Sequence, residues 1–65
     1  MENFGIILKN LREKRGLTLE QLAKDICIDK FALSLWEKDK KVLSLSKLIK
    51  LAKYFEVSMD YLLGL

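Results

Sequence analysis

The fold is decided by Thr18-Leu19-Glu20-Gln21-Leu22-Ala23, followed after a short gap by Asp29-Lys30-Phe31-Ala32-Leu33-Ser34-Leu35-Trp36-Glu37. Each half begins with a residue whose side chain can cap a helix, Thr18 in the first and Asp29 in the second. Gln21 stands three residues after Thr18, which is the spacing of a capping box. The positions expected to face inward are all apolar: Leu22, Ala23, Ile26, Ile28, Leu33 and Trp36. The pattern therefore predicts two short helices joined by a tight turn, a helix-turn-helix.

The size and composition of the chain indicate one small packed domain. It has 65 residues, 51% of them hydrophobic, with no proline and with charges spread along its length, which favours a helical globule over disorder. Apolar runs are far shorter than the roughly 20 residues that a membrane-spanning helix needs. Glu2 follows Met1 where a signal peptide would carry positive charge. We therefore expect a single cytoplasmic domain over residues 1–65 that makes no membrane contact.

The composition also argues against several kinds of chemistry. Cys27 is the single cysteine and histidine is absent, so no internal disulfide and no Cys/His metal set can form. The sequence has no glycine-rich phosphate loop and no pair of carboxylates in a plausible cleft. We expect no catalytic residue, no metal, no cofactor and no small-molecule ligand, and we do not expect an enzyme.

Helical periodicity extends on both sides of the deciding stretch, and it predicts an all-α fold of five helices with no strand. Asn3 is expected to cap the first helix, and Gly16 to end it. The second helix is expected over about 19–25 and the third over about 30–38. These three segments carry the helix-turn-helix and the helix that precedes it.

The last two helices are expected to complete the same core. Ser44 caps the fourth, and Ser58 caps a short fifth from Met59 to Leu63 that Gly64 ends. One face of the fourth helix is expected to be apolar, with Leu45, Leu48, Ile49, Ala52 and Phe55, and the other face basic, with Lys47, Lys50 and Lys53.

The charge distribution is compatible with a polyanionic partner. The net charge is +3, from 12 basic and 9 acidic residues. The segment between Lys30 and Lys53 is richest in lysine and contains only Glu37 and Asp39 as acids; its lysines are Lys30, Lys38, Lys40, Lys41, Lys47, Lys50 and Lys53. A lysine face that only keeps a domain soluble has the same composition. The helix-turn-helix pattern around these lysines is what favours a polyanionic partner over a face that only keeps the domain soluble.

Several separate motifs occur in an order known from one family. They are Leu8 and Leu11-Arg12, Gly16-Leu17-Thr18, Leu22-Ala23, Leu33-Ser34, Trp36-Glu37, Leu48-Ile49, Leu51-Ala52-Lys53-Tyr54-Phe55 and Val57-Ser58-Met59-Asp60-Tyr61-Leu62-Leu63-Gly64. In these motifs the chain resembles the DNA-binding domain of the XRE family, the fold of Cro and the lambda-type phage repressors, over nearly its whole length. The resemblance implies a compact five-helix lambda-repressor-like domain that binds double-stranded DNA sequence-specifically and regulates transcription as a repressor.

The resemblance also implies which residues contact DNA, with the third helix in the major groove. The implied base-reading residues are Lys30, Phe31, Ser34 and Leu35. The implied phosphate-binding residues lie at the start of the second helix and after the third: Thr18, Leu19, Lys38, Lys40 and Lys41. Arg12 matches a family arginine that pairs with the glutamate at position 37, so Arg12 and Glu37 are expected to form a structural ion pair.

The groove-facing positions are more apolar than is usual in the family. Leu19 replaces the usual glutamine after the cap, and Phe31 and Leu35 occupy positions that are commonly polar. An exposed strip of these three residues, extended by Val42 and Leu43, is also typical of a protein interface. The alternative function is therefore a helix-turn-helix fold with a degenerate DNA-reading face that acts as an antirepressor-like protein-interaction module.

Two turn positions also depart from the family. Cys27 stands at the family's turn glycine, and Asp39 at the glycine after the third helix. A side chain in a left-handed backbone costs about 1–2 kcal/mol, less for Asp. We expect Cys27 to be a small, partly buried filler.

The C-terminal segment predicts self-association. It carries more apolar residues than so short a helix is expected to bury on its own domain: Met59, Tyr61, Leu62, Leu63 and Leu65. In the family this segment forms much of a two-fold interface, so the resemblance implies a homodimer with these residues at its contact.

Overall fold

The structure is a computed structural model that describes residues 3–40 and 44–65. These residues form five helices, and no strand occurs among them: α1 (Phe4–Lys14), α2 (Leu19–Ile26), α3 (Lys30–Glu37), α4 (Leu45–Phe55) and α5 (Met59–Leu63). The predicted all-α class and the order of five helices are confirmed, with the ends of α2 and α3 within one residue of the prediction. None of the helices in these two ranges has the length and hydrophobicity needed to cross a membrane.

The predicted caps begin the helices of the helix-turn-helix. The hydroxyl oxygen of Thr18 accepts a hydrogen bond from the amide of Gln21 (3.0 Å), and the side-chain oxygen of Gln21 accepts one from the amide of Thr18 (2.9 Å). This is the reciprocal capping box that the spacing predicts. Asp29 caps α3 by accepting from the amide of Ala32 at 3.2 Å. Short-range signals therefore determine where α2 and α3 begin.

Of the other three predicted N-caps, one makes a capping hydrogen bond and two do not. The hydroxyl of Ser58 accepts a hydrogen bond from the amide of Tyr61 and caps α5 as predicted. Asn3 and Ser44 occupy the N-cap positions of α1 and α4, but neither side chain accepts a capping hydrogen bond. The starts of α1 and α4 therefore depend on packing more than on their caps.

Within residues 3–40 and 44–65, three non-glycine residues adopt the left-handed backbone conformation: Cys27, Asp39 and Glu56, with φ of 55° to 56°. Cys27 and Glu56 follow the last residues of α2 and α4, where such a conformation ends a helix. The prediction that Cys27 is a partly buried filler is wrong, because its side chain is exposed. Its neighbours Ile26 and Ile28 take the inward positions instead.

All five helices contribute residues to the core, and Trp36 of α3, which is 1% exposed, is among them. The other large side chains that are fully buried are Phe4, Leu8, Leu22, Leu33, Leu51 and Leu62. The indole Nε1 of Trp36 has no hydrogen-bond partner among the described residues, and the ammonium group of Lys47 lies 5.7 Å from the centre of its ring. α3 thus contributes one of its sides to the core.

The apolar face predicted for α4 is partly wrong. The buried residues of this helix are Leu48, Leu51, Ala52 and Phe55, a stripe at i, i+3, i+4 and i+7. Leu45 is 66% exposed and Ile49 39% exposed, so both lie outside the core. Six apolar residues on one helix allow two overlapping stripes, and contacts of α4 with α2 and α5 select the one that contains Leu51.

Candidate nucleic-acid interface

α3 has one buried side and one outward side. Ala32, Leu33 and Trp36 are buried. On the other side lie the four predicted base-reading residues, which we call the α3 outer face: Lys30, Phe31, Ser34 and Leu35. Lys30, Phe31 and Leu35 are exposed and Ser34 is half-buried. The structure thus brings all four together on one surface of one helix.

The chemistry of the α3 outer face is dominated by apolar groups. Phe31 is 77% exposed and Leu35 is 40% exposed. The polar groups on this face are the hydroxyl of Ser34 and the ammonium group of Lys30, whose Nζ lies 3.9 Å from Oε2 of Glu20 at the start of α2. This exposed ion pair is solvated and contributes little stability. The face can therefore donate few hydrogen bonds but can contact apolar groups.

Leu19 does not belong to an exposed apolar strip, contrary to the expectation. It is partly buried and packs against the core, and it lies beside Ser34 in a surface depression. Helical periodicity explains this, because Leu19 lies three residues before Leu22, which is fully buried. The proposed extension of the strip through Val42 and Leu43 lies outside the described residues. The outward apolar surface here consists of Phe31 and Leu35.

The predicted phosphate-binding groups lie at the two ends of the helix-turn-helix. Thr18 is exposed at the start of α2, where the first amides of the helix have no acceptor within it. Lys38 and Lys40 are exposed directly after α3. Lys41, also expected to bind phosphate, lies outside the described residues. The positive groups thus border the α3 outer face.

Arg12 and Glu37, expected to pair, lie in a bidentate contact. Nε and Nη2 of Arg12 donate to the two carboxylate oxygens of Glu37, at 2.7 and 3.2 Å, and Nη1 donates to the carbonyl oxygen of Leu17 at 2.8 Å. Both side chains are almost buried, at 12% and 7% exposure. The hydrogen bond to Glu37 raises the pKa of Arg12. One guanidinium therefore joins α1, the segment before α2 and the end of α3.

A second cluster, which was not predicted, joins α1, α2 and α4. Nη1 of Arg15 donates to the carbonyl oxygen of Tyr54 at 3.1 Å, and its guanidinium carbon lies 5.1 Å from the ring centre of Phe55. The hydroxyl of Tyr54 donates to Oδ2 of Asp25 at 2.7 Å, and this bond raises the pKa of Tyr54. The sequence signal at this cluster was Arg15 next to Gly16, which predicts the end of a helix. It does not predict that Arg15 contacts Tyr54.

The residues predicted for a dimer contact do not all face outward. Leu62 is fully buried in the domain's own core, so its assignment to a dimer interface is wrong. Met59 and Leu63 are partly buried against that core. Tyr61 and Leu65 are exposed, at 53% and 87%. α5 packs against α1 and α4, and this packing buries more of the short helix than its length suggests.

No group of three or more acidic, cysteine or histidine side chains is placed to hold a metal ion within residues 3–40 and 44–65.

Comparisons with known proteins agree with this geometry. A family model described as helix-turn-helix matches residues 8–62. The chain is 45% identical over 58 residues to the uncharacterized HTH-type transcriptional regulator YobD of Bacillus subtilis, an alignment that covers 89% of this chain and 52% of YobD. It is 38% identical over 61 residues to the HTH-type transcriptional activator BcrR of Enterococcus faecalis, covering 94% of this chain and 30% of BcrR.

A third relative is the HTH-type transcriptional regulator ImmR of Bacillus subtilis, 37% identical over 62 residues that cover 95% of this chain and 49% of ImmR. The chain therefore spans about half the length of two of these curated relatives and less of the other. All three are named as regulators of transcription and not as enzymes, in agreement with the expectation that the domain is not an enzyme.

Proposed function

We propose, from the premise that this chain belongs to the helix-turn-helix family, that it binds double-stranded DNA sequence-specifically and regulates transcription with α3 in the major groove. The observation that carries this proposal is the two-sided character of α3. Its inner side is buried in the core and holds the helix in place, while the α3 outer face is presented to solvent. An α-helix with its side chains is about 10–12 Å in diameter, which fits a major groove about 12 Å wide.

The flanking groups are suited to hold the helix in that groove. The amide end of α2 at Thr18 and Leu19 attracts phosphate oxygens. The exposed ammonium groups of Lys38 and Lys40 neutralise phosphates on the strand beside the end of α3. We include Lys41 in this set on the basis of its sequence position. These contacts supply affinity and orientation, and the α3 outer face supplies the choice of sequence.

We further propose a repressor-like action by a homodimer. A domain that covers a stretch of duplex blocks other proteins from it. Tyr61 and Leu65 offer exposed apolar surface at α5, with Met59 and Leu63 beside them, and a two-fold contact there places two α3 helices about 34 Å apart. Sedimentation equilibrium at micromolar concentration tests this assembly: wild type is expected to associate and Leu65→Ala to associate less. A monomer under all conditions, including with DNA, contradicts it.

Titration of labelled random-sequence duplex at two salt concentrations tests the DNA-binding proposal. Lys40→Ala should weaken binding and reduce the slope of log affinity against log salt by about one unit, because one phosphate contact is lost. Lys14→Ala is the matched control, since Lys14 lies at the end of α1 beside Tyr61 and should leave the slope unchanged. Absence of binding at low salt contradicts the proposal.

A second candidate function is a protein-interaction module, and the 77% exposure of Phe31 favours it. The two functions differ in their response to salt. Binding that depends on neutralised phosphates weakens steeply as salt rises, whereas an apolar contact between proteins hardly responds. A domain that fails to bind duplex DNA but remains folded would support this second candidate.

A further inference from the structure

We infer that the α3 outer face chooses its DNA sequence by contact with the 5-methyl groups of thymine, made by Phe31 and Leu35. This inference rests on the proposed function and specifies the chemistry that the helix recognises. It assigns to Phe31 the main role, because Phe31 is the most exposed residue of α3, and to Leu35 a supporting contact one turn further along.

The first argument is the hydrogen-bonding capacity of α3. Discrimination of guanine or adenine in the major groove uses two hydrogen bonds from one side chain, as Arg, Lys, Asn or Gln can make. α3 has the sequence KFALSLWE, and Lys30 is its one residue of these four types. The Lys30 ammonium is a point charge that lies close to Glu20, and the hydroxyl of Ser34 is half-buried. Base-specific hydrogen bonding by this helix therefore depends on Lys30 and one hydroxyl, and the rest of its outward surface is apolar.

The second argument is the match between exposed surface and target. The thymine methyl is the apolar group that a base edge presents in the major groove. Phe31 and Leu35 lie on the outward side of α3, and packing within the domain leaves 77% of Phe31 and 40% of Leu35 exposed. A contact with methyl groups would remove their apolar surface from water, which is favourable.

The third argument is the charge around these two side chains. Lys30 lies on the α3 outer face, and Lys38 and Lys40 border it. The carboxylate of Glu37, on the same helix, is neutralised by Arg12. Asp29 at the start of α3 uses its carboxylate as the helix cap. An apolar patch bordered by ammonium groups is complementary to thymine methyls between two rows of phosphates.

The experiment compares two pools of duplex DNA that differ in the methyl group alone. Wild-type protein selects bound sequences from a random library at low salt, and the selected pool is re-amplified with either thymidine or deoxyuridine triphosphate. Both pools keep the same base sequence and the same Watson–Crick pairing. Affinity for each pool is measured with wild type and Phe31→Ala. Ile6→Ala serves as the matched control, because Ile6 is an apolar residue of α1 that is 60% exposed.

Wild type is expected to bind the thymine pool more tightly, by about fourfold for each contacted methyl, which corresponds to about 0.8 kcal/mol. Phe31→Ala should lose most of this preference and Ile6→Ala should keep it. A selected sequence bound equally well with and without methyl groups would overturn the inference and leave DNA binding intact. A preference that persists in Phe31→Ala would overturn the role of Phe31. Failure to enrich any sequence, with no salt-dependent binding, would overturn the proposed function itself and point to a protein partner.

Discussion

The amide of Gly5 donates a hydrogen bond of 3.1 Å to Oδ1 of Asp39, 34 positions later in the chain. Asp39 adopts a left-handed conformation with φ of 55° directly after the C-cap of α3. A Cβ atom on Gly5 would lie 2.8 Å from Oδ2 of Asp39 and would collide with the carbonyl oxygen of Glu37. The first turn of α1 therefore docks on the C-terminal end of α3, and this contact fixes the direction in which the chain leaves toward Lys40.

Gly5→Ala should destabilise the fold. The new Cβ meets backbone at Glu37, which cannot move aside as a flexible side chain can, so we expect a loss of about 1–3 kcal/mol in the free energy of unfolding. Urea denaturation followed by circular dichroism measures it. Ile6→Ala is the neighbouring control and should change stability by less than about 0.5 kcal/mol, because Ile6 is exposed. Equal stability of Gly5→Ala and wild type would show that α1 does not dock as described.

Cys27→Gly should stabilise the fold. Cys27 has φ of 56° and an exposed side chain, so its replacement removes left-handed strain and loses no core contact. The strain of about 1–2 kcal/mol is partly offset by the greater backbone entropy of glycine in the unfolded chain. We expect a net gain of about 0.5–1 kcal/mol, measured by thermal and urea unfolding. Cys27→Val is the opposite control and should be less stable than wild type, since a branched side chain tolerates this conformation poorly.

Arg12 and Glu37 should behave as one unit when they are substituted. Removing either partner leaves an almost buried charge uncompensated, so Arg12→Leu and Glu37→Leu should each cost about 3–5 kcal/mol. The double variant should cost much less than the sum of the two, because no lone charge remains. Because the hydrogen bond to Glu37 raises the pKa of Arg12, the contribution of this pair to stability is fully present below the unfolded pKa of Arg12 and is lost only as the pH rises through the folded pKa. Additive losses in the double-mutant cycle would contradict the coupling.

Local signals in the sequence identified the helices. Which residues of the short helices are buried was decided by packing between helices, which local signals do not report. The capping box of Thr18 and Gln21 and the cap at Asp29 involve residues three apart, so their hydrogen bonds were predictable. The burial of Leu51 and Leu62 was not, because each depends on which face of a short helix meets its neighbours. In the candidate site, too, local features were predictable and contacts between distant residues were not.

The α3 outer face follows from helical periodicity once Leu33 and Trp36 are known to be inside. The exposure of Leu19 was misjudged because its position directly after the cap was weighed above its spacing of three residues from Leu22, which places it on the buried side of α2. The clusters at Arg15 and Asp39 join residues 39 and 34 positions apart, a separation at which one sequence carries no pairing signal.

Tyr54 should make stability depend on alkaline pH. Its hydroxyl donates to Asp25 only while protonated, and this bond raises the pKa of Tyr54 above its usual 10.0. The stabilisation is therefore complete below the unfolded pKa and is lost as the pH rises through the folded pKa. The bond is solvent-exposed, so Tyr54→Phe should cost less than about 1 kcal/mol at neutral pH.

Urea titrations at neutral pH and above the pKa of Tyr54 should show that the difference in stability between wild type and Tyr54→Phe becomes smaller. Tyr61→Phe is the control, since Tyr61 is exposed on α5 and should give the same small difference at both pH values. A Tyr54→Phe difference that does not change with pH would contradict the hydrogen bond as the source of the effect.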